Sequence, residues 1–286
     1  HKKKLKVISM KIKSIHVSNQ WASDILSSYG ISSDPIIYGP AMPLYINTSA
    51  LNPFEKLYNA TRDKLTLMSS GKWEVRKGHL KLVEWLSEYN EPINLIGLWA
   101  NPFSGGLDEP IRHIVKHGFK FKTSVKIPTE LGSRLNIYTN DIGTNIILFS
   151  YIPRWLDTLS IYKCCDCFIS ISSGEGWDLP LVEAMALKIP VMATYNTAHC
   201  SYIEPENSFV VDTFVETALD KRWFNGKVGD WYPAEKESFN YNLELLHTLY
   251  KSKPDKLSQI GISGYETIKS ICNLRSLGDQ LKIFTE

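Results

Sequence analysis

Residues 165–194 constrain the fold more strongly than any other stretch of the sequence. Residues 166–172 form a short apolar run with β-branched side chains, which predicts a buried strand. A turn with two glycines follows, and residues 189–194 predict a second buried strand after an intervening apolar helix. A strand, a helix and a strand in this order form a crossover unit with two parallel strands. The stretch therefore predicts an α/β fold.

The turn between the first strand and the helix has the features of a ligand-binding loop. Gly174 and Gly176 permit a tight backbone path and let a ligand approach the main chain closely. The helix is predicted to begin at Leu179, with Asp178 as a candidate N-cap. Pro180 then falls in the first turn, where a helix tolerates its missing N–H.

Two carboxylates in this stretch are candidates for ligand contacts. Glu175 lies in the turn, and Glu183 lies about one turn into the helix among apolar neighbours, where an unpaired carboxylate is costly to bury. Helical side chains lean toward the N-terminus, so Glu183 is expected to face the crevice above the strand ends, where open α/β sheets bind ligands. Judged singly, both acids are more simply interpreted as solvent-exposed charges.

The surroundings of these acids carry a family resemblance. The string EGWDLPLVEAMALKIPVMAT, from Glu175 onward, resembles the nucleotide-sugar site of the retaining glycosyltransferases of family 4, whose pattern is close to EGFGLPxLEAMAxGxPVIAT. Such enzymes have the GT-B fold of two Rossmann-like domains. This chain departs from the pattern at Trp177, Asp178 and Lys188. Asp178 places a carboxylate where the family has glycine, and we expect it either to cap the helix or to repel the donor.

A basic loop after an earlier predicted strand is the second candidate part of the site. Lys72 and Lys77 lie five residues apart across a turn that begins at Gly71, so both can reach one anion beside the following helix N-terminus. The loop is similar to the family's Arg-x4-Lys-Gly, with Lys72 in place of arginine and Gly78 after Lys77. Lysine lacks arginine's planar fork, and Arg76 is a candidate for compensation. Taken alone, these cations are more simply surface charges.

The resemblance implies a role for each part of this site. Lys72 and Lys77, with the free amides at the helix start, would hold the donor diphosphate without a metal. Glu175 would bind hydroxyls of the transferred sugar, and Glu183 would bind the ribose hydroxyls. The residues expected to contact the donor are Gly71, Tyr151, Ile152, Gly176, Trp177, Asp178, Leu179 and Glu183, with Tyr151 and Ile152 beside the base. Transfer to an acceptor hydroxyl with retained configuration is also implied.

Strands and helices alternate along most of the chain, which predicts a Rossmann-like parallel sheet with helices on both faces and a helical C-terminal tail. Strands are predicted at 5–10, 14–18, 35–38, 65–69, 94–99, 119–127, 145–151 and 209–211, besides the two described above. Helices are predicted at 20–29, 79–88, 109–118, 128–138, 154–163, 199–203, 213–219, 234–251, 255–271 and 274–284. Residues 223–233 are predicted to form an irregular loop.

The domain boundary is predicted near residue 52. Residues 39–53 combine three prolines with small polar residues, which is typical of a linker. We expect residues 1–52 to be a remnant of the N-terminal acceptor domain and the interdomain linker. Residues 53–286 would be the nucleotide-sugar donor-binding domain, and the acceptor half with its catalytic residues would lie outside this chain.

Composition disfavours several other classes of protein. A net charge of +2 over 286 residues does not indicate a nucleic-acid partner. The sequence has no apolar run of membrane-spanning length. Its five cysteines are expected to be reduced thiols of a cytoplasmic protein, with peripheral attachment to a membrane surface as an alternative. A zinc site of His199 with neighbouring cysteines has the wrong ligand spacing, so neither a metal nor another cofactor is expected.

Three functional hypotheses follow. The first is the donor half of a glycosyltransferase that uses a UDP-, GDP- or ADP-sugar and a glycan, lipid or protein hydroxyl, completed by an N-terminal domain or a partner subunit. The second is a non-catalytic nucleotide-sugar-binding subunit. The third is a relative of the same fold, such as a nucleotide-sugar epimerase or a phosphorylase. Dinucleotide binding is disfavoured because Leu179 stands at the third glycine position and Glu175 would face the phosphates.

Overall fold

The computed structural model describes residues 15–33, 36–52, 54–100, 106–127, 133–149, 152, 154–220 and 226–272. The strands in this part of the chain are β1 (Thr66–Lys72), β2 (Asn94–Ala100), β3 (Lys120–Lys126), β4 (Arg134–Thr139), β5 (Asn145–Phe149), β6 (Cys167–Ser170), β7 (Val191–Thr194), β8 (Phe209–Val211), β9 (Glu216–Asp220) and β10 (Gly226–Trp231). The α-helices are α1 (Gln20–Ser28), α2 (Glu55–Thr61), α3 (His79–Ser87), α4 (Asp108–Lys116), α5 (Trp155–Tyr162), α6 (Leu179–Ala186), α7 (Lys236–Ser252) and α8 (Pro254–Ile271).

Eight strands form one sheet in the order β3-β4-β5-β2-β1-β6-β7-β8. The pairs from β5 through β2, β1, β6 and β7 to β8 are parallel, whereas β4 is antiparallel to both β3 and β5. From β1 the chain forms β2, continues at the edge strand β3 and comes back through β4 to β5 beside β2, and then adds β6 on the other side of β1. The strand order therefore reverses between β1 and β6, and this is where open α/β sheets bind ligands.

Helices cover both faces of the sheet, as the sequence predicts. Alternate residues of β1 face two hydrophobic cores, one on each side of the sheet. Met68 belongs to the core with residues of α5 and α6, whereas Leu67 belongs to the core with residues of α3, α4 and α7. A strand that is covered on both faces must be apolar on both, which explains why the central strands are continuous apolar runs instead of alternating ones. The α/β, Rossmann-like fold class is confirmed, and so is its helical C-terminal part.

The helix predicted at 128–138 is wrong. Arg134–Thr139 is strand β4, and its alternating pattern of buried Leu135 and Ile137 is that of a half-buried antiparallel strand. It pairs with β3 on one side and β5 on the other. Strands β3, β4 and β5 are therefore consecutive antiparallel neighbours, which form one edge beside the parallel part of the sheet.

The helix predicted at 213–219 and the loop predicted at 223–233 are also wrong in part. Glu216–Asp220 and Gly226–Trp231 form an antiparallel two-stranded sheet. Gly226 and Gly229 have φ of 145° and 138°, which only glycine adopts readily, and the register shifts between Lys227 and Gly229. The sequence of β9 does not by itself specify a strand. Cross-strand hydrogen bonds to β10 stabilise its extended conformation.

The other predicted helices that fall within the described residues are present, with ends that differ by a few residues. The short helix predicted at 199–203 is a 3₁₀ turn at Thr197–Ser201, and two further 3₁₀ turns, Met42–Tyr45 and Thr48–Ala50, interrupt the predicted linker. The strands predicted at 14–18 and 35–38 are wrong, since the described residues 15–18 and 36–38 form no strand. The strand predicted at 5–10 and the helix predicted at 274–284 lie outside the described residues. No helix in the described part of the chain has the length and apolar character needed to cross a bilayer.

Candidate functional site

Two loops meet at the carboxyl ends of β1 and β6. The β1–α3 loop and the β6–α6 loop are joined by the Ser173 N–H, which donates to the carbonyl of Arg76 at 2.7 Å. Gly78 has φ of 75°, and a Cβ at this position would lie 2.5 Å from the carbonyl oxygen of Ile171. Only glycine fits so close an approach. The loops that carry the predicted cations and the first predicted acid are therefore held side by side.

Glu175 is the centre of this contact. One carboxylate oxygen, Oε1, accepts from Ser172 Oγ at 2.6 Å and is paired with Arg76 Nη1 at 2.7 Å and Lys77 Nζ at 2.8 Å. The Glu175 N–H donates to Thr197 Oγ1 at 2.8 Å, which orients the loop from its other side. With its side chain only 8% exposed, Glu175 is not the solvated acid of the simpler interpretation.

Arg76 and Lys77 supply the positive charge of the site. Burial opposes their charged forms, but Glu175 and Glu74 raise the pKa of Arg76, and Asp178 and Glu175 raise the pKa of Lys77. Both side chains therefore stay charged at neutral pH. The Lys77 stem crosses Gly71, where an added Cβ would lie 3.3 Å from Lys77 Cε.

Lys72 occupies a different place from the one its pattern suggests. Strand β1 continues through Lys72, so this residue ends the strand instead of lying in the loop, and its side chain is exposed. Arg76, in contrast, contacts Glu175 directly. The contact with the predicted acid thus involves Arg76 and Lys77, while the role predicted for Lys72 stays a prediction.

Asp178 neither caps helix α6 nor faces outward. It occupies the N-cap position with φ of 61°, but its side chain makes no capping hydrogen bond. Its carboxylate turns inward and meets Ser170 Oγ at 2.5 Å, His199 Nε2 at 3.1 Å and Lys77 Nζ at 3.3 Å. Burial would raise the pKa of Asp178, but Lys77, His199 and Ser170 together lower it well below the usual range. The predicted helix cap is wrong.

Glu183 faces a different neighbour from Glu175. Its Oε1 accepts from Trp155 Nε1 at 2.7 Å, and its Oε2 lies 3.4 Å from the hydroxyl of Tyr162. Burial raises the pKa of Glu183, and these two hydrogen bonds partly oppose that shift. Glu183 therefore contacts α5 at both of its ends, through Trp155 and Tyr162. Ile152, which precedes α5, is half-buried against the core. Tyr151 lies outside the described residues.

The remaining predicted contact residues lie at the start of α6. The carbonyl of Gly176 accepts from Asn19 Nδ2 at 2.7 Å and from Ser18 Oγ at 2.9 Å. Trp177 is buried, and its Nε1 donates to the carbonyl of Pro40 at 3.3 Å. Leu179 is 46% exposed at the edge of the crevice. The N-terminal segment therefore contacts the loop that carries Glu175.

Sequence reasoning missed several residues that the structure brings to the site, among them Asn19, Trp155, Ser170 and His199. A partial signal exists for His199, because a carboxylate at position 178 requires a buried donor nearby. The other three have no local signal. Among the described residues, no group of three or more His, Cys, Asp or Glu side chains is arranged to hold a metal ion.

Comparison with known proteins adds two findings. Residues 127–221 match the family model described as glycosyl transferases group 1, which covers about a third of the chain and includes both predicted acids. No curated protein matches the chain.

Several solved structures share the fold. Sucrose-phosphate synthase from Thermosynechococcus elongatus is 15% identical with a TM-score of 0.66, covering 100% of this chain and 61% of that one. A glycosyltransferase from Rickettsia africae is 18% identical with a TM-score of 0.67, covering 99% and 65%. Anabaena HepE, solved with UDP and glucose, is 14% identical with a TM-score of 0.64, covering 100% and 67%. At such identities the likeness shows the fold alone.

The family match thus concerns residues 127–221, and the solved structures share the fold. The chain spans 61 to 67% of the length of these three proteins. The loop with Arg76 and Lys77 lies before the matched segment, so its part in the site depends on the geometry described above.

Proposed function

We propose that this chain binds the donor of a retaining glycosyltransferase, which moves a sugar from a nucleoside-diphosphate sugar to an acceptor hydroxyl. One observation carries the proposal. Arg76 and Lys77 from one loop meet Glu175 from the next, at the strand ends where the sheet order reverses. Two half-buried cations beside a carboxylate fit a diphosphate next to a sugar, since phosphates bind cations and sugar hydroxyls donate to carboxylates.

The arrangement stabilises the leaving group. As the glycosidic bond to phosphate breaks, negative charge grows on the diphosphate, and preformed cations at that point lower the barrier. Arg76 and Lys77 are positioned for this, and Lys72 at the end of β1 is a third candidate. The amides of Gly176, Trp177 and Leu179, at the start of α6, add oriented dipoles.

Donor binding would exchange the partners of Glu175. Its Oε1 accepts from three side chains, those of Ser172, Arg76 and Lys77. When the diphosphate occupies the cations, Glu175 is released to accept from sugar hydroxyls. The positive charge of Arg76 and Lys77 is then balanced by phosphate instead of by Glu175.

The second acid fits a ribose. Glu183 accepts from Trp155 at the start of α5, whereas the cations Arg76 and Lys77 contact Glu175. A carboxylate in this place can accept from two vicinal hydroxyls, and the base would then lie near residues 151 and 152. UDP accompanies the sugar in the solved structures of HepE and of pneumococcal GtfA, which makes UDP the first nucleotide to test here.

A non-catalytic nucleotide-sugar-binding subunit is the second candidate. Asp178 favours it, because a second carboxylate beside Lys77 reduces the positive charge that a diphosphate meets. The two candidates differ in turnover. A catalytic chain, once supplied with its acceptor half, consumes donor and releases nucleotide, whereas a binding subunit does not. Nucleotide release without any acceptor would instead indicate the epimerase alternative.

Calorimetric titration with UDP, GDP and ADP tests the donor site. One nucleotide should bind, and Lys77→Ala and Glu183→Ala should each weaken its binding by about 10-fold or more, since each removes a charge-assisted hydrogen bond. Lys120→Ala is the matched control, because Lys120 pairs with Asp141 on the exposed edge strand. Equal affinities in all four proteins would contradict the proposed site.

A further inference from the structure

The carboxylate of Asp178 is buried in the middle of the candidate site in a backbone conformation that disfavours it. Its φ of 61° is left-handed, a region that glycine adopts freely and that aspartate tolerates only with local support. The side chain is 2% exposed. An ionised carboxylate is retained in such a place only when hydrogen bonds and opposite charges surround it.

His199 supplies part of that support. Its Nδ1 lies 2.8 Å from the carbonyl oxygen of Thr194, and its Nε2 lies 3.1 Å from Asp178 Oδ2. An ionised carboxylate only accepts, so Nε2 is the donor in the contact with Asp178. The ring is fully buried, and it holds the carboxylate from the side opposite to solvent.

Three parts of the fold converge on this one carboxylate. Ser170 at the end of β6 donates to Oδ2 at 2.5 Å, and His199 from the turn after β7 donates to the same oxygen. Oδ1 is left for Lys77 Nζ, at 3.3 Å. A lysine side chain has four flexible methylenes, and its ammonium stays in one place only where fixed acceptors hold it.

We propose that Asp178 and His199 form a positioning pair for Lys77, an inference that rests on the proposed donor site. Lys77 has two carboxylate partners in the structure, and Glu175 must leave it to bind the sugar. Asp178 cannot leave, since it is buried and held from two sides. It keeps the ammonium at the strand ends while phosphate replaces Glu175, and its hydrogen bonds with Ser170 and His199 keep it in place.

A double-mutant cycle on nucleotide affinity tests the coupling. Asp178→Asn keeps the side-chain shape and should weaken nucleotide binding about 10-fold in the wild-type background, but by less than about 2-fold once Lys77 is alanine. A purely structural role would lower affinity by the same factor in both backgrounds. Asp166→Asn is the matched control, since this carboxylate lies at the opposite end of β6 and accepts from the Thr66 N–H. It should show no coupling to Lys77.

Amine acylation gives a readout that needs no nucleotide. We expect acetic anhydride, followed by peptide mass spectrometry, to modify Lys77 several-fold faster in Asp178→Asn than in wild type. Loss of the anion lowers the ammonium's proton affinity and frees the side chain. The exposed Lys120 serves as the internal reference. Should Asp178→Asn not fold, Ser170→Ala removes one donor to the same carboxylate and should change both readouts in the same direction by a smaller factor.

The outcomes distinguish a failure of the positioning pair from a failure of the proposed donor site. Coupled affinities together with faster acylation support the positioning pair. Additive affinities, or unchanged acylation, overturn it even if the donor site is real. If wild type binds no nucleotide, the donor site fails, and acylation decides alone whether Asp178 anchors Lys77.

Discussion

At the scale of single residues, His79 shows how burial changes a titratable group beside the site. The ring is 2% exposed at the start of α3, with Nδ1 3.3 Å from Ser69 Oγ. Nε2 has no hydrogen-bond partner among the described residues. Burial lowers the pKa of His79 to about 3, and the nearby charge of Lys77 adds to the shift. The folded protein therefore holds this imidazole neutral.

This predicts a loss of stability in mild acid. The unfolded chain takes up a proton near pH 6.5, but folded His79 does not until about pH 3, so stability falls as the pH drops through this window. Between pH 6.5 and 5 the loss due to His79 should be about 1.5 kcal/mol. Urea unfolding at both pH values should show this loss in wild type relative to His79→Leu. Parallel pH profiles would show that His79 is not buried neutral.

Asp178 shows a different residue-scale effect, in which a departure from a family pattern is balanced by a second residue. Glycine at this position would need no partner. Aspartate needs His199 and Ser170, which lie on other elements. Asp178→Gly without a change at His199 would leave the buried Nε2 of His199 without its carboxylate partner, so the two positions are expected to change together.

At the scale of elements, helix α8 packs closely against the end of α6. A Cβ at Gly261 would lie 2.3 Å from the carbonyl oxygen of Lys188 and 3.1 Å from Pro190 Cδ. Lys188 itself has φ of 61° just after α6, and its Nζ lies 4.7 Å from the centre of the Tyr265 ring on α8. The glycine is therefore a packing residue, although alanine is the better helix former.

Gly261→Ala should lower the free energy of unfolding by about 1–3 kcal/mol, because the added methyl group forces the helix away from a backbone carbonyl. Gly264→Ala is the matched control on the same helix. Its Cβ would meet Asn207 O at 3.3 Å and Met185 Cε at 3.4 Å, so the loss should be smaller. Urea denaturation of both variants measures the difference. A more stable Gly261→Ala protein would show that α8 does not approach this closely.

At the scale of the whole molecule, the N-terminal segment is attached to the candidate site. Asn19 caps α1 through its Oδ1, which accepts from the Ala22 N–H at 2.9 Å, and its Nδ2 donates to Gly176. Trp177 fills the space beside Gly39, where an added Cβ would lie 2.3 Å from the indole. The segment predicted to be a remnant of the acceptor half thus helps to shape the donor loop. That domain assignment stays a prediction.

Asn19→Ser separates the two roles of Asn19. Serine still caps the helix, but its shorter side chain does not reach Gly176. Stability should change by less than about 1 kcal/mol, while nucleotide affinity should fall about 3-fold because one hydrogen bond to the loop is lost. Calorimetry and urea unfolding measure the two quantities. Gln20→Ala, which removes an exposed contact with Asp24 on the same helix, should change neither.

The sequence alone determined the strand, turn, helix and strand around Glu175, the alternation that produces the Rossmann-like sheet, and the loop that carries Lys77. These features are encoded by local periodicity and by residues within one short segment, where backbone propensity and burial act together. Tertiary structure decided the antiparallel β3–β5 edge and the β9–β10 hairpin, because an extended segment becomes a strand only when another strand satisfies its backbone hydrogen bonds. It also decided the partners of Asp178 and Gly176. Those partners are distant in sequence and become neighbours only when the strand order brings their loops to the same edge of the sheet.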